Sequence, residues 1–262
     1  MHPIPMSERI SVVYADKGSL EQDGHRLVLV DKNATTVIPV AKTTVVLLGN
    51  GTTVTHAAIR LCAEEGCLLL WVGESGVRLY AAGNPRSSSD NLVRQACLFS
   101  DSSKRLEIAR RIFRLMFDED APAQRSVEQL RGLEGGRVKQ LYADFARKHE
   151  VEWLGKEQDL SVPINAALAG VNAALYGVTE AVILALGYSP SIGFVHAGDS
   201  RSFVFDVADT VKFRFVAPLA FELAKAGGEN MEHRSRTACR DLFVRENLMD
   251  RLVTNIQEIL RD

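Results

Sequence analysis

Thiols, one-signed charge and familiar catalytic signatures are all scarce in this chain. Its 262 residues include four cysteines, Cys62, Cys67, Cys97 and Cys239, in no CxxC spacing. A secreted disulfide scaffold and a structural zinc are therefore not expected, and the thiols read as reduced. The N-terminus, MHPIPMSERISVV, lacks a basic region leading into a long apolar run, so no secretory leader is read there. No later segment reads as ~18 uncharged apolar residues. A soluble, cytoplasmic protein with no membrane partner is the expectation. The formal net charge of −2 gives no global positive field, so a nucleic acid would have to be held by local clusters of arginine and lysine. There is no GxSxG elbow, no GxxxxGK[ST] phosphate loop and no HExxH pair, and GNGTT at 49–53 reads as a turn rather than a dinucleotide fingerprint.

The chain is rich in core-forming material, 46% hydrophobic over 262 residues, enough for one large domain or two modest ones. From Ile10 to Ala82 short β-rich runs alternate with turn residues: SVVYAD, HRLVLVD, TTVIPV, TTVVLLG, CLLLWVG and VRLYAA. Within them THAAIRLCAEEG, 55–66, has helical spacing and ends on a glycine suited to a helix C-terminus. The stretch GNPRSSSDN, 83–91, has the composition of a linker. After it the period changes to three and four, with Leu92, Ala96 and Phe99, then Leu106, Ala109, Ile112, Phe113 and Met116. Ser126–Lys148 continues this pattern although Gly132, Gly135 and Gly136 each weaken a helix by roughly 1 kcal/mol, which suggests close backbone approach. Val162–Leu186 is small and apolar nearly all round, as a helix in the middle of a bundle should be. Helices are also expected at 203–225, kinked or divided by Pro218, and at 237–260. The fold class is α+β: an N-terminal β-rich domain with one small helix, 1–88, then an all-helical domain, 89–262.

Hydrophilic groups interrupt the apolar stretch GFVHAGDSRSFVFDVAD, 193–209. Asp206 and Asp209, three apart, share a helix face and can address one cation from one side. The same spacing also suits two carboxylates in a first helical turn after Ser202, favoured by the helix dipole alone. His196 is compatible with a core, capping or ligand role. Glu134, in LRGLEGGRVKQLY, reads either as lying near the apolar face of its helix or, as a lone glutamate, as solvent-exposed. Carboxylates with one imidazole suit magnesium or manganese, and a divalent ion there would polarise a phosphodiester and activate a hydroxyl.

LRGLEG at 130–135, NAALAGVNAALYGVTEAVILALGYSPSIGFVHAG at 165–198, SFVFDVADTVKF at 202–213 and TACRDLF at 237–243 together resemble the CRISPR-associated integrase family of spacer acquisition, in particular its subtype I-E branch. The resemblance spans nearly the whole chain, with four separated motifs in order behind a β-rich unit. It implies an N-terminal β domain used in homodimerisation and a helical catalytic domain whose metal ligands are Glu134, His196 and Asp209. Asp206 is implied to matter for activity and Tyr176 to stand near the active site; a packed tyrosine on a buried helix is the other reading of Tyr176. Aspartate at 209, where much of the wider family has glutamate, follows the I-E pattern. Arg60, Arg78, Lys212, Arg236 and Arg240 resemble basic DNA-facing positions, Lys212 and Arg240 most closely because they lie within the matching motifs.

The activity implied is insertion of short foreign-DNA fragments into the CRISPR repeat array by 3′-hydroxyl transesterification with Mg2+ or Mn2+. The implied partners are DNA, a second copy of the chain and a dimer of a second small adaptation protein. Relatives in this subtype carry a C-terminal tail that helps dock that protein, so docking here uses either residues beyond Asp262 or another surface. Two alternatives share the same residues: a structure-selective endonuclease acting on branched DNA, and a noncatalytic DNA-binding scaffold in which the polar groups only cap and bridge helices.

Overall fold

A computed structural model describes residues 10–73, 79–83, 89–122, 126–153, 155, 159 and 161–261, with the side chains of residues 10–12, 79, 232, 233 and 236 left undescribed. The chain divides into two compact units, Met1–Asn91 with Ile183–Tyr188, and Leu92–Val182 with Ser189–Asp262. The change of period near residue 90 therefore coincides with a change of unit, except that a short piece from the middle of the chain belongs to the first.

The first unit is one six-stranded sheet in the order β3-β2-β1-β4-β5-β6. Its strands are β1 (Ile10–Asp23), β2 (Arg26–Val30), β3 (Thr35–Ile38), β4 (Thr43–Val54), β5 (Leu68–Val72) and β6 (Leu79–Gly83). β1, β4 and β5 run parallel, and β2, β3 and β6 pair antiparallel toward the edges. Consecutive Leu68, Leu69 and Leu70 are all buried, so the centre of the sheet is covered on both faces, as its parallel strands require. α1 (His56–Glu65) connects β4 to β5 and packs Ala58, Leu61 and Cys62 into the same core as Leu20, Val46, Leu48 and Leu69. It begins at Thr55, whose hydroxyl accepts from Ala58 N–H, and ends on Gly66 at φ 72°, the left-handed cap its sequence indicates.

GNGTT is not a turn. It lies inside β4, opposite a register irregularity at Ala15–Lys17 of β1. A Cβ on Gly49 would come within 3.0 Å of the Asp16 carbonyl, and one on Gly51 within 3.2 Å of the same oxygen. These glycines let the β1 backbone press against β4 where the ladder is irregular.

The second unit is helical: α2 (Asp90–Ser100), α3 (Ser102–Phe117), α4 (Val127–His149), α5 (Pro163–Ala185), α6 (Ser202–Val211), a π-helical segment (Lys212–Val216), α7 (Ala217–Ala226), α8 (Met231–Arg245) and α9 (Leu248–Ile259). α6 is buried nearly all round, with Phe203, Val204, Val207 and Ala208 fully enclosed. Each fully buried Phe or Val of this kind contributes about 1.5–3 kcal/mol, so α6 is an organising helix of this unit. Pro218 divides the expected 203–225 helix. Lacking an N–H, it cannot bond the Arg214 carbonyl four residues back, and the ladder passes through the π segment before α7 begins. The expected 237–260 run is also two helices, separated where Asn247 adopts φ 50°, and the first of them begins at Met231.

Three further expectations need correction. In α2 the apolar residues Leu92, Val93, Ala96 and Phe99 are exposed while Gln95 and Leu98 are buried, so the inward face is one step round from the one the apolar spacing marked. By length and composition α5 is apolar enough to cross a membrane, because Asn165 and Asn172 interrupt its run without adding charge; more than half of that window is buried inside the protein. The glycines of α4 have no close neighbour: a Cβ on Gly132, Gly135 or Gly136 would meet nothing within 4 Å. They loosen the helix without admitting another backbone. Gly132→Ala should therefore raise the unfolding free energy by about 0.5–1 kcal/mol, read from the urea midpoint at unchanged m-value.

Candidate metal centre

Three pieces of the second unit converge. α4 brings Glu134, the irregular stretch 189–201 brings His196, and α6 brings Asp206 and Asp209. α4 starts with a reciprocal cap: Gln129 N–H donates to Ser126 Oγ, and Ser126 N–H to Gln129 Oε1 at 3.0 Å. That start places Leu130 and Glu134, one turn apart, on one face. There they line a cavity of about 10 Å3 with Ala109, Ile112, Phe113, Met116 and Val195, which has scarcely room for one water. Glu134 is thus a carboxyl against an apolar wall. Burial first, and the Asp209 charge second, push its pKa up to about 7.

Asp206 has no exposed surface, yet its carboxylate is well satisfied. It accepts from the backbone N–H groups of Phe194, Val195 (3.2 Å) and His196 (2.9 Å), and from His196 Nδ1 at 2.8 Å. A carboxylate taking these bonds can only accept, so the Nδ1 proton lies between the two groups and Nε2 is left to serve another partner. Burial by itself would lower the His196 pKa; the hydrogen bond and charge of Asp206, then the charges of Asp209 and Glu134, outweigh it and hold the imidazole above its usual value.

Asp209 lies one turn further along α6, 7% exposed. One ligand atom from each of Glu134, His196 and Asp209 falls within 4.8 Å of the others. Lys212 Nζ donates to Asp209 Oδ1 and to Tyr176 OH, each at 3.1 Å. Burial opposes the charged ammonium, but Asp209 together with Tyr176 and Tyr142 outweighs it and raises the Lys212 pKa. The ring of Tyr176 meets Phe205 edge-on, and Phe205 in turn meets His196.

The structure thus brings Glu134, His196 and Asp209 together with Tyr176 and Lys212 beside them, and gives Asp206 a separate task. The two aspartates do not address one cation side by side, since the hydrogen bonds of Asp206 go to the His196 loop. Nor do they occupy a first helical turn, because α6 begins at Ser202 and its first turn holds no acid. Lys212 is also corrected: at 5% exposure and ion-paired, it is an internal countercharge and not a surface cation. Arg60 and Arg240 are exposed, each beside a carboxylate, Glu64 at 4.0 Å and Asp241 at 2.9 Å. Arg78 and the Arg236 side chain lie outside the described residues.

Sequence reasoning passed over several residues that build this site. Gln95 is fully buried and bonds the backbone of Ser189 and Ile192, and Arg105 Nε donates to the Phe194 carbonyl at 3.0 Å. Gly193 has no room for a side chain, since a Cβ would stand 2.5 Å from the His196 carbonyl. The available signal was the stripe Asn91, Arg94, Gln95 on an otherwise apolar helix, and the glycine just before FVH.

Fold and site together define an α+β protein whose helical unit holds two carboxylates and an imidazole in the arrangement that suits a hard divalent cation. Residues 12–119 and 115–258 match the family of CRISPR associated protein Cas1. The chain is 44% identical over 267 residues to the CRISPR-associated endonuclease Cas1 of Escherichia coli (strain K12), covering 99% of this chain and 88% of that protein. It also resembles a crystal structure of TtCas1 at 37% identity and TM-score 0.86 (97% of this chain, 98% of that one), and a TtCas1–DNA complex at 35% and 0.87 (98% of each). The chain belongs to the Cas1 family. At 16% identity, a casposase bound to integration product shares the fold, with a TM-score of 0.59 over 89% of this chain and 86% of that one.

The raised Glu134 pKa has a consequence for stability. The folded protein keeps this proton where the unfolded chain has lost it, so the contribution of the neutral carboxyl is complete below 4.5 and is lost as pH rises to about 7. Glu134→Gln cannot ionise. In EDTA its stability relative to wild type should rise between pH 5 and pH 8 by on the order of 1–2 kcal/mol, discounted for partial exposure, as read by urea unfolding. A pH-independent difference would remove the burial argument.

Proposed function

We propose that this Cas1 family member is a metal-dependent DNA integrase of CRISPR adaptation, closest in pattern to the subtype I-E branch. In the reaction the 3′-hydroxyl oxygen of a short DNA fragment forms a new bond to a phosphorus of the CRISPR repeat. The bond from the repeat's own 3′-oxygen to that phosphorus breaks, and that oxygen takes up a proton in place of the one the attacking hydroxyl loses and leaves as an alcohol, so one phosphodiester replaces another without an external energy source. The observation that carries the reading is the convergence of Glu134, His196 and Asp209 within 4.8 Å in a chain of this family. Their donor chemistry fits Mg2+ or Mn2+: two carboxylate oxygens and one imidazole nitrogen, the latter already oriented by Asp206. A bound divalent ion supplies charge neutralisation at the phosphoryl oxygens and polarisation of the hydroxyl.

The protein's own contribution is to aim these ligands. Asp206 fixes the imidazole, Lys212 holds one oxygen of Asp209, and the apolar wall behind Glu134 keeps bulk water from its buried side. Tyr176 stands at the rim through Lys212 and Phe205. Arg60 and Arg240, with Arg78 and Arg236, are proposed to neutralise DNA phosphates, each exposed arginine exchanging a weak surface carboxylate pairing for a phosphate. The TtCas1–DNA complex among similar structures supports a DNA substrate. The active form is proposed to be a homodimer joined through the β domain, 1–88, with the helical domain, 89–262, catalytic, and a second adaptation protein bridging two such dimers. A second reading is endonucleolytic cleavage of branched DNA with water as nucleophile, which the same site would serve; that the Escherichia coli relative is called an endonuclease supports cleavage.

Strand transfer of labelled fragment into a repeat-bearing plasmid tests the leading reading, with hydrolysed branched DNA as the competing product. Glu134→Ala, His196→Ala and Asp209→Ala should each reduce strand transfer at least about 100-fold while DNA binding survives, and double replacements should add little because the three act as a unit. Near-normal integration by any folded single variant would sink the shared-ion mechanism. Mn2+ should raise the melting temperature of the wild type, more at pH 8 than at pH 6, because Glu134 and His196 must shed protons to ligate. Asp209→Ala should abolish the increase. In sedimentation the chain should run as a dimer at micromolar concentration, and a monomer would remove the assembly proposed here.

A further inference from the structure

His196 reaches the site on a stretch with no regular secondary structure, residues 189–201, so no helix or strand ladder fixes where the imidazole sits; within the stretch Ser191 Oγ donates to the Ser200 carbonyl at 3.0 Å. Side chains from three helices do this instead. Asp206 of α6 takes the N–H groups of residues 194, 195 and 196. Arg105 of α3 takes the Phe194 carbonyl. Gln95 of α2, with no exposed surface, takes the beginning of the stretch: its Nε2 donates to Ser189 O at 3.1 Å and Ile192 O at 2.9 Å, and its Oε1 accepts from Ser189 N–H at 2.8 Å. One amide thus meets a donor and two acceptors of a backbone whose other tie to a helix here is Phe203 N–H to the Pro190 carbonyl at 2.8 Å, using both ends of a group that donates and accepts.

The placement of Gln95 is not what helix packing asks for. α2 buries this polar residue while leaving Leu92, Val93 and Ala96 outside. An apolar residue at 95 would lose the bonds to Ser189 and Ile192, leaving 189–192 with the Phe203 N–H to Pro190 carbonyl and Ser191 to Ser200 bonds. Immediately downstream, Gly193 is wedged between the His196 carbonyl and Ser202 with contacts a Cβ could not survive, so a displacement at 189–192 has no slack to absorb it before His196.

We infer that Gln95 is a positioning residue for the cation site: its amide sets the depth of the His196 loop, and hence the affinity of Glu134, His196 and Asp209 for a divalent ion, without touching that ion. The inference rests on the cation reading given above. Residues that orient metal ligands from behind commonly change affinity or activity 10–100-fold when replaced.

The test uses the full chain, Mn2+ alone as probe with its affinity read by electron paramagnetic resonance, and amide hydrogen exchange of the metal-free protein. Gln95→Met, of similar shape and with no hydrogen bonds, should bind Mn2+ about 10–100-fold more weakly than wild type. Its amides in 189–196 should exchange faster while those of α9 are unchanged, and Mn2+ in excess should restore site occupancy. Gln95→Glu keeps the acceptor for Ser189 N–H and loses both donated bonds, so it should shift in the same direction; it serves as the readout should the methionine variant fail to fold. Asp209→Ala gives the baseline for binding outside the site. Wild-type and Gln95 variants of equal affinity and equal exchange overturn this inference alone. A wild type that binds Mn2+ no better than Asp209→Ala overturns the cation reading and this inference with it.

Discussion

The carboxylate of Asp206 is the interaction on which the site depends. A carboxylate with no exposed surface is costly to bury unless it is fully hydrogen-bonded, and this one is satisfied by three consecutive backbone N–H groups and an imidazole. The arrangement works in both directions. The N–H groups of Phe194, Val195 and His196, which join no helix or strand ladder, find their acceptor in Asp206, and the buried carboxylate finds its donors in them. Orientation of His196 follows: with Nδ1 committed, Nε2 is the nitrogen free to meet Glu134 and Asp209.

Around that anchor the charges are arranged so that none is isolated. Asp209 is neutralised on one side by Lys212, whose ammonium is also cradled by Tyr176 and Phe213. Glu134 instead leans on an apolar wall, which favours its proton although the charges of His196 and Arg131 oppose this. The two carboxylates therefore sit in opposite environments, one bonded to a buried lysine and the other against an apolar wall that favours its proton. Such a pair is a natural receptor for a divalent ion, since the ion replaces a proton at one carboxylate and shares the other with lysine.

Backbone irregularities fall where they serve this arrangement. Pro218 forces the π segment Lys212–Val216, and Lys212, its first residue, is the one that reaches back to Asp209 and across to Tyr176. In the sheet unit the corresponding device is the irregularity at Ala15–Lys17, accommodated by Gly49 and Gly51. These are local departures from regular geometry with local causes, and they leave α6 and the central strands intact.

By itself the sequence determined the division of labour along the chain: period-two apolar runs before residue 83 make a sheet, period-three-and-four runs after residue 90 make helices, and GFVHAGDSRSFVFDVAD sets polar groups in a stretch that a core has no use for. Spacing carries this information because strand and helix periodicities are local properties. Only tertiary structure decided which of two aspartates three apart faces the cluster and which holds a loop, since both lie on buried α6 and differ only in what packs against them. It also decided that Lys212 turns inward, that α2 buries Gln95 rather than its apolar residues, and that the glycines of α4 face open space. Each depends on residues far away in the chain, such as Ser189 for Gln95, Tyr176 for Lys212 and Phe194 for Asp206, and distance in sequence leaves no periodic trace.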